Sequence, residues 1–379
     1  MMQKKLTSKE RMLAAINLEE PDVIPLAPYT GFWYAPKLLG LKISDYSLGS
    51  NKLRAKILLA AQKRHGYDWI LAGTGHTHDW RKNVDIKDIG DRYIVKAKKP
   101  GWQLGGWWYN EWVAPKDDAP YYESGYLKIE DVPELEINDS DSILRGGELE
   151  QVEIISKHVG DEVLVANNIG APFGDAAFYV GLQEWILALY RKPRLAEKAM
   201  EWCLSSELEW AKALVEAGAE ALYMEEIWAS TDIISPSLYE KFAFPYERLQ
   251  IEKLRKLGVP LILSFCGNPM PIIDKIIETK PDAHHFEESK KGFIIDIFKI
   301  REKLRGKTCF FEPFDAINLL PSGDLEAIRK SVIEIVTGTA GGGGVVLGTG
   351  CPLMKDTSPE SLDMMIRTAR EVGKYPIRA

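Results

Sequence analysis

The sequence predicts an α/β fold, a (β/α)8 TIM barrel, on three observations. Strand-like and helix-like segments alternate along most of the chain with short links, as parallel strands with helical crossovers do. About eight segments read as barrel strands, the number that closes such a barrel. No glycine-rich fingerprint follows the first strand, which counts against a dinucleotide-binding open sheet. The alternation favours one domain over residues 1–379, with an insertion at about 80–130 after the second strand.

The elements follow in order. "TSKERMLAAINLEE" starts with Thr7 as N-cap and Glu10 three residues on, a capping box, and Met12, Leu13 and Ile16 give it an apolar face. "PDVIPLAPY" is a short strand, "SNKLRAKILLAAQKRHG" a helix and "YDWILAG" the next strand. Between residues 80 and 130, alternating stretches with turn residues read as an antiparallel insertion. "SDSILRGGELEQVEIISKHVG" returns to helix. "EVLVANNIG", "AEALYMEE", "VPLILSFCG", "DAHHFEE", "KTCFFEPF" and "GGVVLGTG" are then strands, with helical patterns between and after them. "GTAGGGG" precedes a strand instead of opening a helix, so it reads as a helix stop and link, not a phosphate loop.

Composition narrows the function. A formal net charge of -7 argues against a nucleic-acid surface. No apolar run reaches the roughly 18 residues of a membrane span, and the charged N-terminus is not a signal peptide. Four widely spaced cysteines do not suggest a disulfide framework. These features together predict a soluble, cytoplasmic protein with reduced thiols. Eleven Trp and fifteen Tyr supply cores, and also walls for a flat apolar ligand.

In such barrels the working residues sit at the C-terminal strand ends. Reading those ends gives Tyr29, then His76 and His78, Asn167 and Asn168, Glu225 and Glu226, Ser264 and Cys266, His285 and Glu287, Glu312 and Cys351. Carboxylates, imidazoles and thiols on one rim are metal-binding types. A buried thiol is the commonest fate of a cysteine, but Cys266 and Cys351 both end strands beside glycine. Neighbouring Glu225 and Glu226 point to opposite faces of an extended strand, so one of them faces the site. His76 and His78 are ligand or acid–base candidates, or loop hydrogen-bonders.

Several stretches resemble the uroporphyrinogen decarboxylase superfamily nearly end to end. They are "TSKERMLAAINLEEPDVIPLAPY", "GAPFGDAAFYVG", "ASTDIISPSLYEKFAFPYERLQIEKLRKLGVPLILSFCGNPMPIID" and "GCPLMKDTSPESLDMMIRTAREVGKYP". The decarboxylase branch carries an arginine-rich first loop, where this chain has "YTGFWYAPKLLG". The chain is more similar to the corrinoid-dependent methyltransferase branch. That resemblance implies zinc held by a His-x-Cys after the fifth strand and a Cys after the eighth. Cys266 and Cys351 match the thiols, whereas Ser264 stands in the place of the histidine.

An acidic residue of the family stands at this place, so the resemblance implies that Glu226 or Glu225 completes the metal shell, with His285 or His76 as the further candidates; Glu226 is taken as the ligand, and His76, Glu225 and Tyr29 as the catalytic groups. Trp33, Tyr34, His78, Asn167, Asn168 and Phe173 would line the substrate. It further implies a methyl donor, here a methoxylated aromatic, and cobalamin on a separate corrinoid protein docking over the barrel mouth. Methylation of a thiol such as coenzyme M and metal-free decarboxylation are the alternatives. Dimers are common in the superfamily, and the sequence carries no interface signal of its own.

Overall fold

The structure is a computed structural model that describes residues 5–99, 111–121, 127–290 and 292–377. Its strands are β1 (Leu26–Ala27), β2 (Trp69–Leu71), β3 (Val84–Asp88), β4 (Arg92–Ala97), β5 (Glu111–Pro115) and β6 (Leu164–Gly170), followed by β7 (Ala221–Glu226), β8 (Leu261–Phe265), β9 (Ala283–Phe286), β10 (Cys309–Phe314) and β11 (Val345–Thr349). Eight of them form a parallel sheet in the order β1-β11-β10-β9-β8-β7-β6-β2, wrapped by helices. This is the expected barrel. β3, β4 and β5 form the antiparallel insertion, built on its own small core of Trp80, Val84, Val95, Trp112 and Ala114. Trp107, Trp108 and Tyr109, in the expected insertion, lie outside the described residues.

Asp68 closes the barrel between its two end strands. Its backbone N–H donates to the Leu26 carbonyl (2.8 Å), and its Oδ2 accepts from the Leu26 N–H (2.7 Å). A fully buried carboxylate needs counter-charge, and Arg11 (2.7 Å) and Arg370 (2.6 Å) supply it from the first and last helices. The clasp thus ties both chain ends to the floor of the barrel. The capping box of the first helix (Ser8–Ile16) forms as expected, with the Glu10 N–H on Thr7 Oγ1 (3.1 Å) and the Thr7 N–H on Glu10 Oε2 (2.8 Å).

Two helices that read as continuous are broken. The segment after β6 splits into Pro172–Val180 and Leu182–Arg191 at Gly181, whose φ of 86° no helix accommodates. The segment before β6 splits likewise into Ser140–Gly146 and Glu150–Val159. The helix leading into β8 carries a π turn at Tyr239–Ala243, just before Pro245, which lacks the N–H an unbroken ladder needs.

Side chains alternate along each strand, and this decides which groups reach the barrel interior. On β7, Ala221 and Tyr223 lie in the interior cluster with Trp69 and Phe311, while Leu222 and Met224 pack outward against the helices. Glu312 is one of the outward groups. It is fully buried, accepts from Thr339 Oγ1 (2.7 Å), and leaves Oε1 without a partner. Burial pushes its pKa up to about 8. A carboxyl raised in the folded state stabilises fully below its unfolded value, and that contribution is lost as pH rises through about 8. Chemical denaturation from pH 5 to pH 8.5 is therefore expected to show falling stability, by up to about 1.4 kcal/mol per pH unit from this group. Glu312→Gln should flatten the slope; an unchanged slope would remove Glu312 as its source.

Candidate active site

The rim at the C-terminal strand ends gathers two adjoining sets of groups. The first surrounds Glu225. Its carboxylate Oε2 accepts from the Asn168 amide (2.7 Å) on neighbouring β6. Burial pushes Glu225 up to about 7, against the pull of Asn168. Burial also raises Tyr29, and the Glu225 charge raises it further. The Tyr29 ring stands edge-on to Tyr223, centroids 6.3 Å apart. Tyr29, Asn168 and Glu225 therefore form one interacting cluster in which a carboxyl can hold or release a proton near neutral pH.

The second set surrounds the thiols. Burial raises Cys266, and the charges of Glu287, Glu225 and Cys351 raise it further, so these groups lie within electrostatic reach of one another. Cys351 Sγ lies 3.5 Å from Glu287 Oε1 and accepts from Lys290 Nζ (2.9 Å), and Lys290 also pairs with Glu287. Glu287 Oε2 is held by the Gly267 N–H (2.7 Å).

The glycines beside both thiols have steric reasons. Gly267 has φ of +82°, and a Cβ there would strike Ser230; a Cβ on Gly350 would strike the backbone of Glu288. The signal in "FCG" and "TGC" was thus a tight turn and a close approach.

Beneath this rim lies a second polar layer, centred on the imidazole of β9. His285 is buried. Its Nε2 donates to the Thr349 carbonyl (2.9 Å), so Nδ1 is the acceptor, taking the hydroxyls of Tyr223 (2.8 Å) and Ser264 (3.0 Å). Burial lowers its pKa to about 4, which keeps the ring neutral.

Beside Glu225 a cavity of about 270 Å3 opens between the ends of β6 and β7 and the helices Pro172–Val180 and Pro193–Glu216. Asn168, Glu225, Asp175 and Glu207 supply its polar lining, Phe178 and Trp210 aromatic walls. No Lys or Arg lines it among the described residues. Burial pushes Asp175 well up and Glu207 up to about 7, so both carry protons more readily than ordinary carboxylates.

Other sequence candidates lie elsewhere. Glu226 is turned away from the thiols. It is fully buried, and its Oε1 accepts the N–H groups of Trp228 (3.0 Å) and Ala229 (3.1 Å) behind β7. The structure thus does not bring Glu226 together with the two thiols, and strand alternation is the reason. Glu226→Ala is expected to cost about 1–3 kcal/mol of stability, because two buried N–H groups lose their acceptor, and to leave bound metal unchanged. Loss of metal at unchanged stability would restore it to the shell.

His76 is also displaced from the site. It stacks flat on Trp80 (3.8 Å, 8°) and donates from Nε2 to the Ser47 carbonyl (2.8 Å). Burial drives its pKa down to about 3, which favours the neutral ring. His78 lies exposed on the loop surface beside Gly147. Tyr34 is buried with its hydroxyl on His65 (2.8 Å), and Phe173 is core against Trp185, centroids 5.4 Å apart. Neither lines the cavity. Trp33 donates from Nε1 to Asp118 (3.3 Å), which follows β5 of the insertion. Asn167 borders the cavity and donates to the Gly73 carbonyl (3.3 Å).

Comparison with known proteins agrees with this architecture. The profile of the uroporphyrinogen decarboxylase (URO-D) family matches residues 111–372. The chain belongs to the uroporphyrinogen decarboxylase family. Among curated URO-D relatives, a methylcobamide:CoM methyltransferase of Methanosarcina mazei is 25% identical over 245 residues, 64% of this chain and 68% of the relative. A uroporphyrinogen decarboxylase of Trichodesmium erythraeum is also 25% identical, over 235 residues, 59% of this chain and 62% of the relative. Among solved structures, a methyltransferase from Methanosarcina mazei superposes with a TM-score of 0.75 at 21% identity, covering 97% of this chain and 99% of that one. The fold is therefore shared with that structure over nearly the whole chain, and both a methyltransferase and a decarboxylase occur among the relatives. No helix among the described residues is long and apolar enough to cross a membrane.

Proposed function

We propose that this URO-D family member is a zinc-dependent methyltransferase that passes a methyl group between a small organic substrate and the corrinoid of a separate protein. The observation that carries the reading is the pairing of Cys351 and Glu287 on the Lys290 ammonium, with Cys266 within electrostatic reach of all three. Two thiols and a carboxylate are zinc-type donors. The ammonium already holds positive charge against Glu287 and Cys351, where a cation would sit. Among the described residues no three His, Cys, Asp or Glu side chains are placed to hold a metal ion as they stand, and in this reading Lys290 swings aside to let Cys266, Glu287 and Cys351 close on one. Glu287 replaces Glu226 as the acidic ligand in this reading.

Zinc bound there would supply a Lewis acid for the heteroatom that carries or receives the methyl group. The chain's own residues do the rest. The cavity beside Glu225 takes the substrate; at about 270 Å3 it suits a single substituted ring, below the usual 300–1,000 Å3 range of ligand pockets. Its aromatic walls and lack of basic groups fit a methoxylated aromatic donor. Glu225, protonated up to about pH 7, gives its proton to the ether oxygen as the methyl group departs. Asn168 orients that carboxyl. The methyl group passes to the corrinoid of a partner docked over the barrel mouth.

A second reading, methylation of a thiol from a methylated corrinoid, is supported by the methylcobamide:CoM methyltransferase relative; Glu225 would then take the thiol proton. Decarboxylation of a polycarboxylate is disfavoured by the cavity, which offers no basic partner. The deciding assay follows methylation of free cob(I)alamin by methoxyarenes, against demethylation of methylcobalamin by thiols, with purified zinc-loaded protein. Activity in neither direction, with no zinc retained, would refute the proposal.

A further inference from the structure

We propose that His285 is the positioning residue of the thiol site: its imidazole ties together the strands that deliver Cys266, Glu287 and Cys351. The inference rests on the thiol grouping read above as a zinc site. Ser264, His285 and Thr349 each stand two residues before one of those three groups, so on alternating strands they form the layer directly below. Ser264 and His285 are direct partners across β8 and β9. β9 and β11 are not neighbours, because β10 lies between them. His285 nevertheless spans them, donating from Nε2 to the Thr349 carbonyl at 2.9 Å.

The bonds continue on both sides of the ring. Nδ1 receives the hydroxyls of Ser264 on β8 (3.0 Å) and Tyr223 on β7 (2.8 Å). Thr349 Oγ1 donates to the Cys351 carbonyl (2.8 Å) and accepts the Tyr29 N–H (3.0 Å). One buried ring thus links β7, β8, β9 and β11 under the rim. Ser264, which resembles a missing ligand in the sequence, instead acts as a donor to an imidazole carried by the next strand. Groups that orient ligands in this way are worth about 10–100-fold in metal affinity.

The test uses two independent readouts on the full chain. The first is Co2+ affinity and the absorption spectrum of the Co2+-loaded protein, which reports thiolate geometry. The second needs no metal: capture of phenylarsine oxide, which binds two thiols only when they are close, with Cys266→Ala as the negative control. His285→Leu, which keeps volume but no hydrogen bonds, should weaken Co2+ binding about 10–100-fold, alter the spectrum and slow arsenical capture. His285→Gln, which can donate and accept, should recover most of each.

Should His285→Leu not fold, Tyr223→Phe with Ser264→Ala removes both donors to Nδ1 and should shift both readouts the same way. A folded His285→Leu protein with wild-type spectrum, affinity and capture overturns the proposal. Wild-type protein that captures arsenical but takes no metal refutes the zinc reading alone, and the capture arm still decides His285. Wild-type protein that fails to capture arsenical overturns the paired-thiol premise and the proposal with it.

Discussion

Replacing Cys266 or Cys351 by alanine is expected to strip zinc from the protein and to end methyl transfer. Each thiol is half of the sulfur set, and neither has a substitute nearby: Cys203 and Cys309 are buried in the helix layer and the barrel interior. Residues that merely orient a ligand cost about 10–100-fold, so removal of a ligand should cost more than about 100-fold in affinity. Elemental analysis after dialysis, beside turnover with cob(I)alamin, measures both. Glu287→Gln should lose metal in the same way, since it removes the carboxylate that lies 3.5 Å from Cys351 Sγ and pairs with Lys290. Zinc retained at full stoichiometry in Cys266→Ala, with activity intact, would sink the metal site.

Glu225→Gln is expected to lower kcat about 10²- to 10⁴-fold, the usual range for a lost proton donor, while zinc content stays at the wild-type value. The wild-type rate of ether demethylation should fall as pH rises through about 7, because burial sets the carboxyl there and only its protonated form donates. The Gln variant should lose that limb of the profile. In the thiol direction the sign reverses: the ionised carboxylate is the useful form, and the rate should rise through about pH 7. The pH profile therefore also separates the two readings of the reaction. A Glu225→Gln enzyme with unchanged kcat and profile would remove the carboxyl from the chemistry.

Much of this was legible from local patterns. Strand and helix alternation gave the barrel, since apolar runs and helical faces repeat at short range. Cys266 and Cys351 stood out because each ends a strand beside a glycine, and the glycines are there for a positive φ and a close approach. The alternation rule said that one of Glu225 and Glu226 faces inward, but not which, because a single strand has no inside until its sheet is built. The same gap hid His76, whose ring found Trp80, and Phe173, whose ring found Trp185. Glu287 could have been ranked higher from its spacing, two residues after His285 on the same face.

The sequence by itself determined the periodicity, the turn positions and the chemical types on the rim, because backbone propensity and side-chain chemistry are local properties. Only the tertiary structure decided which carboxylate meets the thiols, which histidine is a packing ring, and that the imidazole under the site belongs to β9 beside Ser264 of β8. Those choices depend on cross-strand register, where a shift of one residue turns a side chain to the opposite face.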